Sequence, residues 1–594
     1  MCGIAGRMGR RGRPVDAEIV GRMRDTLAHR GPDDAGLVQP DRSVVLAHRR
    51  LSIIDIEGGR QPLCNEDGSV WITFNGEIFN FRSLRDELVA KGHQFATRSD
   101  TEVLVHLYEE FGTNCVERLN GQFAFAIWDG EVLFCARDPL GIKPFYYYVD
   151  DRSFAFASEP RAFFAAPDLD LEIDVDALGL YLRYQYIPAP KSAYRRVRKL
   201  CPGESLVIAP GGEPKLRRYW DLQDGPIEDR PRLDASELRE ALSAAVERQL
   251  VADFDVGAFL SGGIDSSSVS ALMQAHAARA MRTFTIGFPE KDERAAARSV
   301  AEHIGSDHVD ALFDHMDASR AMPALLDHID EPMGDSSLIP TYAVSKLARA
   351  STKVALSGDG GDELFAGYGR HTRVIQYLLA PALVRPYWGI IGRRVPEKPP
   401  SAWGDLDAAG APGWSKQLIA ELEDSHRGRL LGPALRAAGD DDACDPVQAE
   451  IQHTSGMPPF AQLLAVDLQT ILADRLLAKV DRASMQASLE VRVPFLDLEV
   501  VRLAFRLAPE AKLHGGRAKG AVCAAMAHDL PREVFERKKV GFGPPVKYWF
   551  ARDLAGEVEE RLRDSVAVTE GILDRRGVDA LLRPRVRRRV NGPR

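Results

Sequence analysis

The chain has 594 residues, of which 45% are apolar and 27% charged, and this ordinary usage excludes a mainly disordered or collagen-like protein. Its 77 basic and 86 acidic residues give a net charge of −9, which excludes general coating of nucleic acid. Seven cysteines lie far apart without a C-x-x-C pair, and no run approaches the ~20 apolar residues of a membrane span. We therefore expect a cytoplasmic protein without nucleic-acid or membrane partners. The length corresponds to about four units of ordinary size or to a large two-domain enzyme.

The first part of the chain consists of short apolar runs separated by turn signals. The pattern predicts strands at 43–47, 70–74, 123–128, 132–136, 145–149 and 154–157, and helices at 16–28 and 81–91. Strands of four to six residues with two interrupting helices indicate a layered α+β domain.

A segment at 223–232, rich in Asp, Gly, Pro and Glu, reads as a linker. Beyond it, predicted helices at 235–249, 266–280 and 294–304 alternate with strands at 256–260, 283–287 and 353–356. This alternation indicates βαβ units on a parallel sheet. After Arg370 the pattern is helical, with Pro/Ala/Gly-rich intervals at 396–412 and 437–446 that we interpret as surface loops or an insertion.

Position 2 is a cysteine. If Met1 is removed, which a small second residue favours, Cys2 carries both a thiol and an α-amine with an ordinary pKa of about 7.7–8. One residue then supplies a nucleophile and its base, and Gly3 and Gly6 leave room for close backbone approach. The alternative is that Cys2 is only a small, tolerated residue.

Polar residues downstream fit the same chemistry. Asn75 and Gly76 offer a side-chain amide and a backbone N–H to an oxyanion. Arg50 suits a carboxylate, and Glu77 and Asp100 suit an ammonium group. The alternatives are a hairpin turn at Asn75, a solvated charge at Arg50, and an N-cap at Asp100 for a helix that begins at Thr101.

A glycine-serine loop, Ser261 to Ser267, follows the strand at 256–260 and leads into a helix. Converging N–H groups and a helix N-terminus make an anion site, although the Walker A lysine is absent. Asp265 suits Mg²⁺, and a second acidic loop, Ser357 to Glu363, should meet the first at the carboxyl edge of the sheet. The alternatives are a tight strand-to-helix turn and a surface turn.

The motifs M-C-G-I-A-G at 1–6, R-G-P-D at 30–33, F-N-G-E-I at 74–78 and R-D-P-L-G-I-K-P at 137–144 resemble class II glutamine amidotransferases. The resemblance covers most of residues 1–220. It implies that Cys2 is the nucleophile with its amine as base, and that Asn75 and Gly76 form the oxyanion hole. The glutamine-binding residues implied are Arg50, Leu51, Ser52, Ile53, Ile54, Asn75, Gly76, Glu77 and Asp100.

The loops S-G-G-I-D-S-S and S-G-D-G-G-D-E, with E-V-R-V-P-F-L-D at 490–497 and R-K-K-V-G-F at 537–542, resemble the asparagine synthetase family of N-type ATP pyrophosphatases. The resemblance implies that Asp265 and Asp362 serve Mg²⁺, Asp359 supports attack on an acyl-adenylate, and Lys539 stabilises phosphate charge. Without the resemblance, the basic run around Lys539 indicates only a solvated surface residue. The ATP-binding residues implied are Leu260, Ser261, Gly262, Gly263, Asp265, Ser266, Ser267, Ile286, Ser357 and Gly358.

Together these resemblances predict an α+β N-terminal-nucleophile sandwich at 2–220, a linker at 221–234, and an α/β parallel-sheet ATP pyrophosphatase domain at 235–594 with a large helical C-terminal part. They imply glutamine hydrolysis, internal passage of ammonia, and amidation of an ATP-activated carboxylate with release of AMP and pyrophosphate. Aspartate is the favoured acceptor, and a homodimer is expected.

The alternative acceptor is a peptide, a cell-wall precursor or a natural product, since the chain is longer than compact bacterial relatives and has Asp359 where they often carry Glu. Cyclases related to the second half lack the cysteine, and a nucleic-acid thiolase would need a basic face. A non-catalytic relative would be expected to lose some of Cys2, Asp265, Asp362 or Lys539, and all four are present.

Overall fold

A computed structural model describes residues 1–379, 424–438, 445–537, 541–551 and 555–582. The interval at 396–412 and residues 439–444 of the interval at 437–446 lie outside the described residues. Among the helices of the described ranges, none is both long and apolar enough to cross a bilayer.

The first domain contains two six-stranded antiparallel sheets, ordered β10-β8-β9-β1-β3-β2 and β12-β11-β7-β6-β5-β4. The strands are β1 Gly3–Gly9, β2 Asp34–Asp41, β3 Val44–Arg50, β4 Leu63–Cys64, β5 Trp71–Ile78, β6 Gly121–Trp128, β7 Leu133–Arg137, β8 Tyr146–Val149, β9 Ser153–Ala157, β10 Val197–Lys199, β11 Glu204–Ile208 and β12 Lys215–Arg218.

Helices cover both outer faces of this sandwich. They are α1 Ala17–Asp25, α2 Phe81–Ala90, α3 Asp100–Phe111 and α4 Arg161–Phe164, while α5 Val175–Tyr184 packs against the helix Pro433–Ala438 of the second domain. Residues from both sheets, such as Ile4 and Ala124, share the central core. A second core joins the β12-to-β4 sheet to α2 and α3, and a third joins the other sheet to α1 and α4. The predicted layered α+β arrangement is confirmed.

The second domain is built on one parallel sheet, ordered β15-β14-β13-β16-β17. Its strands are β13 Val256–Phe259, β14 Arg282–Gly287, β15 Asp307–Leu312, β16 Val354–Leu356 and β17 Glu490–Arg492. The helices around it are α6 Ala235–Gln249, α7 Ile264–Ala275, α8 Arg294–Ile304, α9 His315–Leu326, α10 Leu338–Arg349, α11 Gly361–Leu364 and α12 Gly369–Leu379.

The helical C-terminal part is also confirmed for the described residues. Its helices span Asp424–Leu430, Pro433–Ala438, Pro446–His453, Pro459–Asp467, Ala478–Gln486, Leu498–Arg506, Pro509–Lys512, Gly520–Ala525, Arg532–Glu536, Val546–Ala551, Ala555–Arg563, Val566–Thr569 and Arg575–Leu582. A π-helical segment, Leu468–Leu477, joins two of them.

Several element boundaries differ from the sequence prediction for identifiable reasons. Helix α7 begins at Ile264, inside the glycine-serine loop, because Gly263 is its N-terminal flanking residue. Helix α3 is capped by Ser99, whose side chain accepts from the N–H of Thr101, so Asp100 is a helical residue and not the N-cap. The strand at Gly3–Gly9 is rich in glycine, which hides the alternation expected of a strand.

The linker is docked on the second domain. The N–H groups of Glu228 and Arg230 donate to the carbonyls of Phe505 and Arg506 at 2.8 and 2.9 Å. Contacts also join the domains directly, because Met1, Leu51 and Ile53 belong to the same apolar core as the second domain's sheet. The two halves of the chain therefore share buried surface.

Candidate active sites

The predicted nucleophile lies in a closed environment where the two sheets of the first domain meet. Cys2 immediately precedes β1, and its backbone N–H donates to Asn75 Oδ1 on β5 at 2.8 Å. Cys2 is buried, and this burial raises the pKa of its thiol. Asn75 is fully buried, and its Nδ2 has no hydrogen-bond partner among the residues described. A free amide donor therefore stands beside the cysteine.

Gly76 follows Asn75 where β5 runs against β6. A side chain at Gly76 would place its Cβ 2.1 Å from the carbonyl oxygen of Gln122. The position thus requires glycine for packing, and the hairpin-turn interpretation is wrong because Asn75 and Gly76 pair within a strand ladder with Ala124 and Phe123.

Arg50 is buried and not a solvated charge. Its Nη atoms donate to the carbonyls of Ile54, Asp55 and Ile56 at 3.1, 2.7 and 2.8 Å. Arg50 therefore shapes the loop after β3, in which Leu51 and Ile53 enter the core shared by the domains. The backbone N–H of Ser52 in the same loop donates to Asp33 Oδ2 at 2.9 Å.

The two predicted ammonium-binding carboxylates are buried together. Burial and the nearby Asp100 raise the pKa of Glu77 well above its ordinary value. Burial raises the pKa of Asp100 to about 6, although its Oδ2 accepts from the N–H of Ile78 at 2.9 Å. Two acidic groups in one buried site are typical of a functional carboxylate pair.

Strand β17 of the second domain reaches into this site. Arg492 Nη2 lies 3.2 Å from Glu77 Oε1, and Arg492 Nε donates to Glu490 Oε1 at 2.6 Å. Glu490 Oε2 accepts from the Met1 ammonium at 2.5 Å. The sequence motif E-V-R-V-P-F-L-D contains both residues, but nothing in the sequence places them at the first domain's cysteine.

The second site is a cavity of about 640 Å³ at the carboxyl edge of the parallel sheet. Its volume is in the range of small-molecule and cofactor pockets. Of the predicted nucleotide-binding residues it is lined by Leu260, Ser261, Gly263, Asp265, Ser266, Ile286, Ser357 and Gly358. Gly262 lies in the loop with φ +72°, and the side chain of Ser267 is buried.

The two acidic loops meet at Asp265, as predicted. A Cβ added to Gly361 would lie 2.6 Å from Asp265 Oδ1, and one added to Gly358 would lie 2.8 Å from Asp265 Cβ. The Lys519 ammonium contacts both Asp265 and Asp362, the latter at 2.7 Å. The two carboxylates therefore converge on one cation, and this donor set of hard oxygens fits Mg²⁺.

Lys519 was not predicted. It is buried beside these carboxylates, which raise its pKa. Lys479 and Arg517 also line the cavity. An isolated lysine in helical sequence has no distinguishing local signal, so only the fold could bring these cations to the site.

Asp359 lines the same cavity, and its Oδ2 accepts from the Ser357 hydroxyl at 2.6 Å. Lys539 lies outside the described residues. Its described neighbour Arg537 donates to the Ser261 carbonyl at 3.2 Å and to Glu293 Oε1 at 2.9 Å. The segment that leads to Lys539 is thus anchored at the glycine-serine loop.

A buried arginine connects the first site to the second domain. Arg30 Nε donates to the carbonyl of Cys2 at 3.0 Å, and its Nη atoms donate to Asp481 at 2.7 and 2.9 Å. Asp481 lies on the helix Ala478–Gln486, which also carries the cavity residue Lys479. One helix therefore contacts both sites.

The fold and the two sites define a two-domain class of protein, in which an α-β-β-α sandwich with a buried N-terminal cysteine is joined to a parallel-sheet domain with a nucleotide-sized cavity. The family model described as asparagine synthase matches residues 237–591, and the model described as glutamine amidotransferase domain matches residues 1–220. The chain belongs to the asparagine synthase family and carries a glutamine amidotransferase domain.

Curated relatives match the chain over nearly its full length. Asparagine synthetase [glutamine-hydrolyzing] 1 of Bacillus subtilis (strain 168) is 33% identical over 586 residues, which cover 95% of this chain and 90% of the relative. A putative asparagine synthetase [glutamine-hydrolyzing] of Mycobacterium tuberculosis (strain ATCC 25618 / H37Rv) is 36% identical over 598 residues, with 94% and 89% covered. The recognised family is confirmed.

Among solved structures, the glutamine phosphoribosylpyrophosphate amidotransferase from B. subtilis, complexed with ADP and GMP, aligns with 60% of this chain and 81% of its own. Its sequence identity is 18% and the TM-score is 0.29.

Proposed function

We propose that this chain is a glutamine-dependent asparagine synthetase that hydrolyses glutamine at Cys2 and transfers the ammonia to aspartate activated by ATP. Family membership supports the overall reaction. The observation that carries the first half is the orientation of Asn75, whose Oδ1 faces the Cys2 nitrogen while its buried Nδ2 is left as a free donor.

The glutaminase half-reaction follows from these groups once Met1 is removed. The Cys2 amine takes the thiol proton, and the sulfur attacks the carboxamide carbon of glutamine. Asn75 Nδ2 and the N–H of Gly76 donate to the oxyanion. The tetrahedral intermediate expels ammonia and leaves a thioester, which water hydrolyses to glutamate and the free thiol.

Glutamine's charged head group would lie against the buried acids. Glu77 and Asp100 face its ammonium, while Arg50 fixes the end of the loop by donating to the carbonyls of residues 54–56. Arg50 keeps its Nε hydrogen and one Nη1 hydrogen for the substrate carboxylate. Since Arg492 contacts Glu77 and is itself paired with Glu490, the second domain contributes to glutamine binding.

The synthetase half-reaction uses the cavity at the sheet edge. The carboxylate of aspartate attacks the α-phosphorus of ATP, forming an acyl-adenylate and releasing pyrophosphate; ammonia then displaces AMP to give the amide. Asp265 and Asp362 would hold Mg²⁺, which neutralises charge on the phosphates. The loop Ser261 to Ser266 binds the phosphates, and Asp359 assists attack by ammonia.

Cations inside the cavity suit an acidic acceptor. Lys479 and Arg517 line the wall without belonging to the glycine-serine loop. A small cavity of about 20 Å³ is lined by residues of both domains, Tyr146 and Lys199 of the first and Glu331 and Arg482 of the second. It has about the size needed for one water molecule.

The deciding experiment is a screen of carboxylates for pyrophosphate release with ATP, Mg²⁺ and glutamine. We expect aspartate to give the highest rate and asparagine to form in equal amount with pyrophosphate. If aspartate gives no pyrophosphate release and a peptide or cell-wall precursor is amidated, the proposed acceptor is wrong. The two-site reaction scheme would still hold. If no carboxylate releases pyrophosphate, the proposed synthetase activity is refuted.

A further inference from the structure

A cluster of histidines and glutamates lies on the outer helical layer of the first domain, away from both active sites. Glu66 follows β4, His93 follows α2, and His106 and Glu109 lie one turn apart on α3. Glu66, His93 and His106 each present a ligand atom within 4.8 Å of the others. Three separate segments of the chain therefore converge here.

Three pairs of ligand atoms in this cluster have separations close to those of a coordination site. His106 Nδ1 lies 2.9 Å from Glu109 Oε2 and 3.8 Å from Glu66 Oε2, and His93 Nδ1 lies 3.6 Å from Glu109 Oε2. Bonds of about 2.0–2.1 Å to a tetrahedral metal place ligand atoms about 3.3 Å apart. The observed distances bracket that value.

The outward-facing atoms of the same side chains are held by other groups. Asn65 Nδ2 donates to Glu109 Oε1 at 2.8 Å, and the N–H of Gln94 donates to Glu66 Oε1 at 3.1 Å. His93 Nε2 lies 3.1 Å from Glu110 Oε1. Outer partners of this kind orient metal ligands, and a carboxylate behind a histidine is typical of zinc sites.

His106 supplies a second, independent observation. It is fully buried, and within the described structure its Nε2 has no hydrogen-bond partner. Glu102 Oε1 lies 3.9 Å from Nε2. In a cluster held only by hydrogen bonds, a neutral His106 would carry its proton on Nδ1, toward Glu109. Its buried Nε2 would then be an acceptor without a donor. A metal on Nδ1 instead puts the proton on Nε2, toward Glu102.

We propose that Glu66, His93, His106 and Glu109 form a site for a divalent transition-metal ion, with Zn²⁺ as the best match. Two neutral imidazoles and two carboxylates balance the charge of such an ion, and nitrogen with oxygen donors suits Zn²⁺ better than Mg²⁺. The ion would pin α3, which begins at Asp100 in the glutamine site. Its role is structural support of that helix and not chemistry.

The test uses the full-length chain, freed of metal by a chelator and titrated with Zn²⁺ against a chromophoric competitor. The variants are His93→Gln and Glu66→Gln at the accessible rim, with the exposed His276→Gln as a matched control. We expect each site variant to weaken binding at least tenfold and the double variant to lose one equivalent, while the control binds as wild type does. Glu110→Gln should weaken binding by about 10-fold to 100-fold through His93.

Co²⁺ absorption supplies a readout of geometry. An intense visible band in the wild type that is lost in the double variant supports a four-coordinate site. Unchanged Zn²⁺ stoichiometry in the double variant, or a weak six-coordinate Co²⁺ spectrum, would overturn the proposal and leave a hydrogen-bonded ion cluster only.

Discussion

The two sites differ in how the protein prepares them. At Cys2 the polar groups are buried, and several already pair with other groups of the protein, such as Asn75 Oδ1 on β5 and Arg492 on β17. At the sheet edge a cavity of about 640 Å³ stays open, and its acidic pair is held by the Lys519 ammonium. Amide hydrolysis acts on a few atoms that must be fixed, whereas nucleotide and acceptor together need room. The first site is therefore preorganised, whereas the second is a cavity with room for its substrates.

The largest expected effect is the loss of one reaction without the other. Cys2→Ala removes the nucleophile, so glutamine-driven asparagine formation should fall by at least about 10³-fold, the scale of losing a covalent catalyst. Synthesis with added ammonium salts should continue at the wild-type rate. Loss of both activities would contradict two separable sites.

The converse variant tests the open site. Asp265→Asn removes one of the two carboxylates that converge on Lys519, and we expect pyrophosphate release to fall by about 10²-fold or more. Glutamine hydrolysis, measured as glutamate formed, should persist. Asp307→Asn, at an exposed carboxylate of the same sheet that pairs with Arg282, is the matched control and should retain activity.

A substitution in the second domain should have a smaller effect on glutamine binding in the first domain. Arg492→Met removes the cation beside Glu77 and Glu490, and we expect the KM for glutamine to rise about tenfold to 100-fold, since a buried ion pair loses one partner. Ammonia-driven synthesis reports whether the variant folds. Arg506→Met, at a partly exposed arginine of the same domain that pairs with Asp229, should leave the KM unchanged.

The pH dependence of the KM for glutamine should show a smaller effect. Because burial raises the pKa of Asp100 to about 6, this carboxyl gains a proton as pH falls through that value. It then loses the charge that faces the glutamine ammonium, so the KM should rise at lower pH. Asp100→Asn should weaken binding and remove the inflection near 6. A KM that stays flat through this range in the wild type would contradict the assignment.

The smallest expected effect is on stability. Ser99→Ala removes the side chain that caps α3, and the loss of an N-cap costs about 1 kcal/mol in the free energy of unfolding. Urea denaturation should show this difference with an unchanged slope. Ser83→Ala, an exposed serine of the neighbouring helix α2, should cost less.

The sequence was sufficient for the architecture and for residues that lie in local motifs. Helix α6 matches its prediction at both ends because Asp234 caps it and its apolar residues recur at helical spacing. Asp265 and Asp362 come together because each follows a parallel strand of one sheet. These features depend on neighbours in the chain, so the sequence reveals them.

Contacts between distant segments could not be predicted. Lys519 is 254 positions from Asp265, and Arg492 reaches Glu77 across the domain boundary. The interpretation of Arg50 as solvated is wrong for the same reason, since its carbonyl partners are fixed by the fold of the loop. The role of Lys539, the homodimer and the cytoplasmic location stay predictions.

The short strand β17 has a consequence for recombination. Arg492 is encoded far from Glu77, its partner in the first domain, and exchanging residues 1–220 between two relatives would pair each cysteine site with a foreign strand. Under the proposed function, such a hybrid should keep glutaminase activity only where the donor of the second half carries this Arg and the Glu490 that pairs with it. The proposed unit of glutamine hydrolysis is thus larger than the domain that holds the cysteine, and a single chain keeps its two parts together.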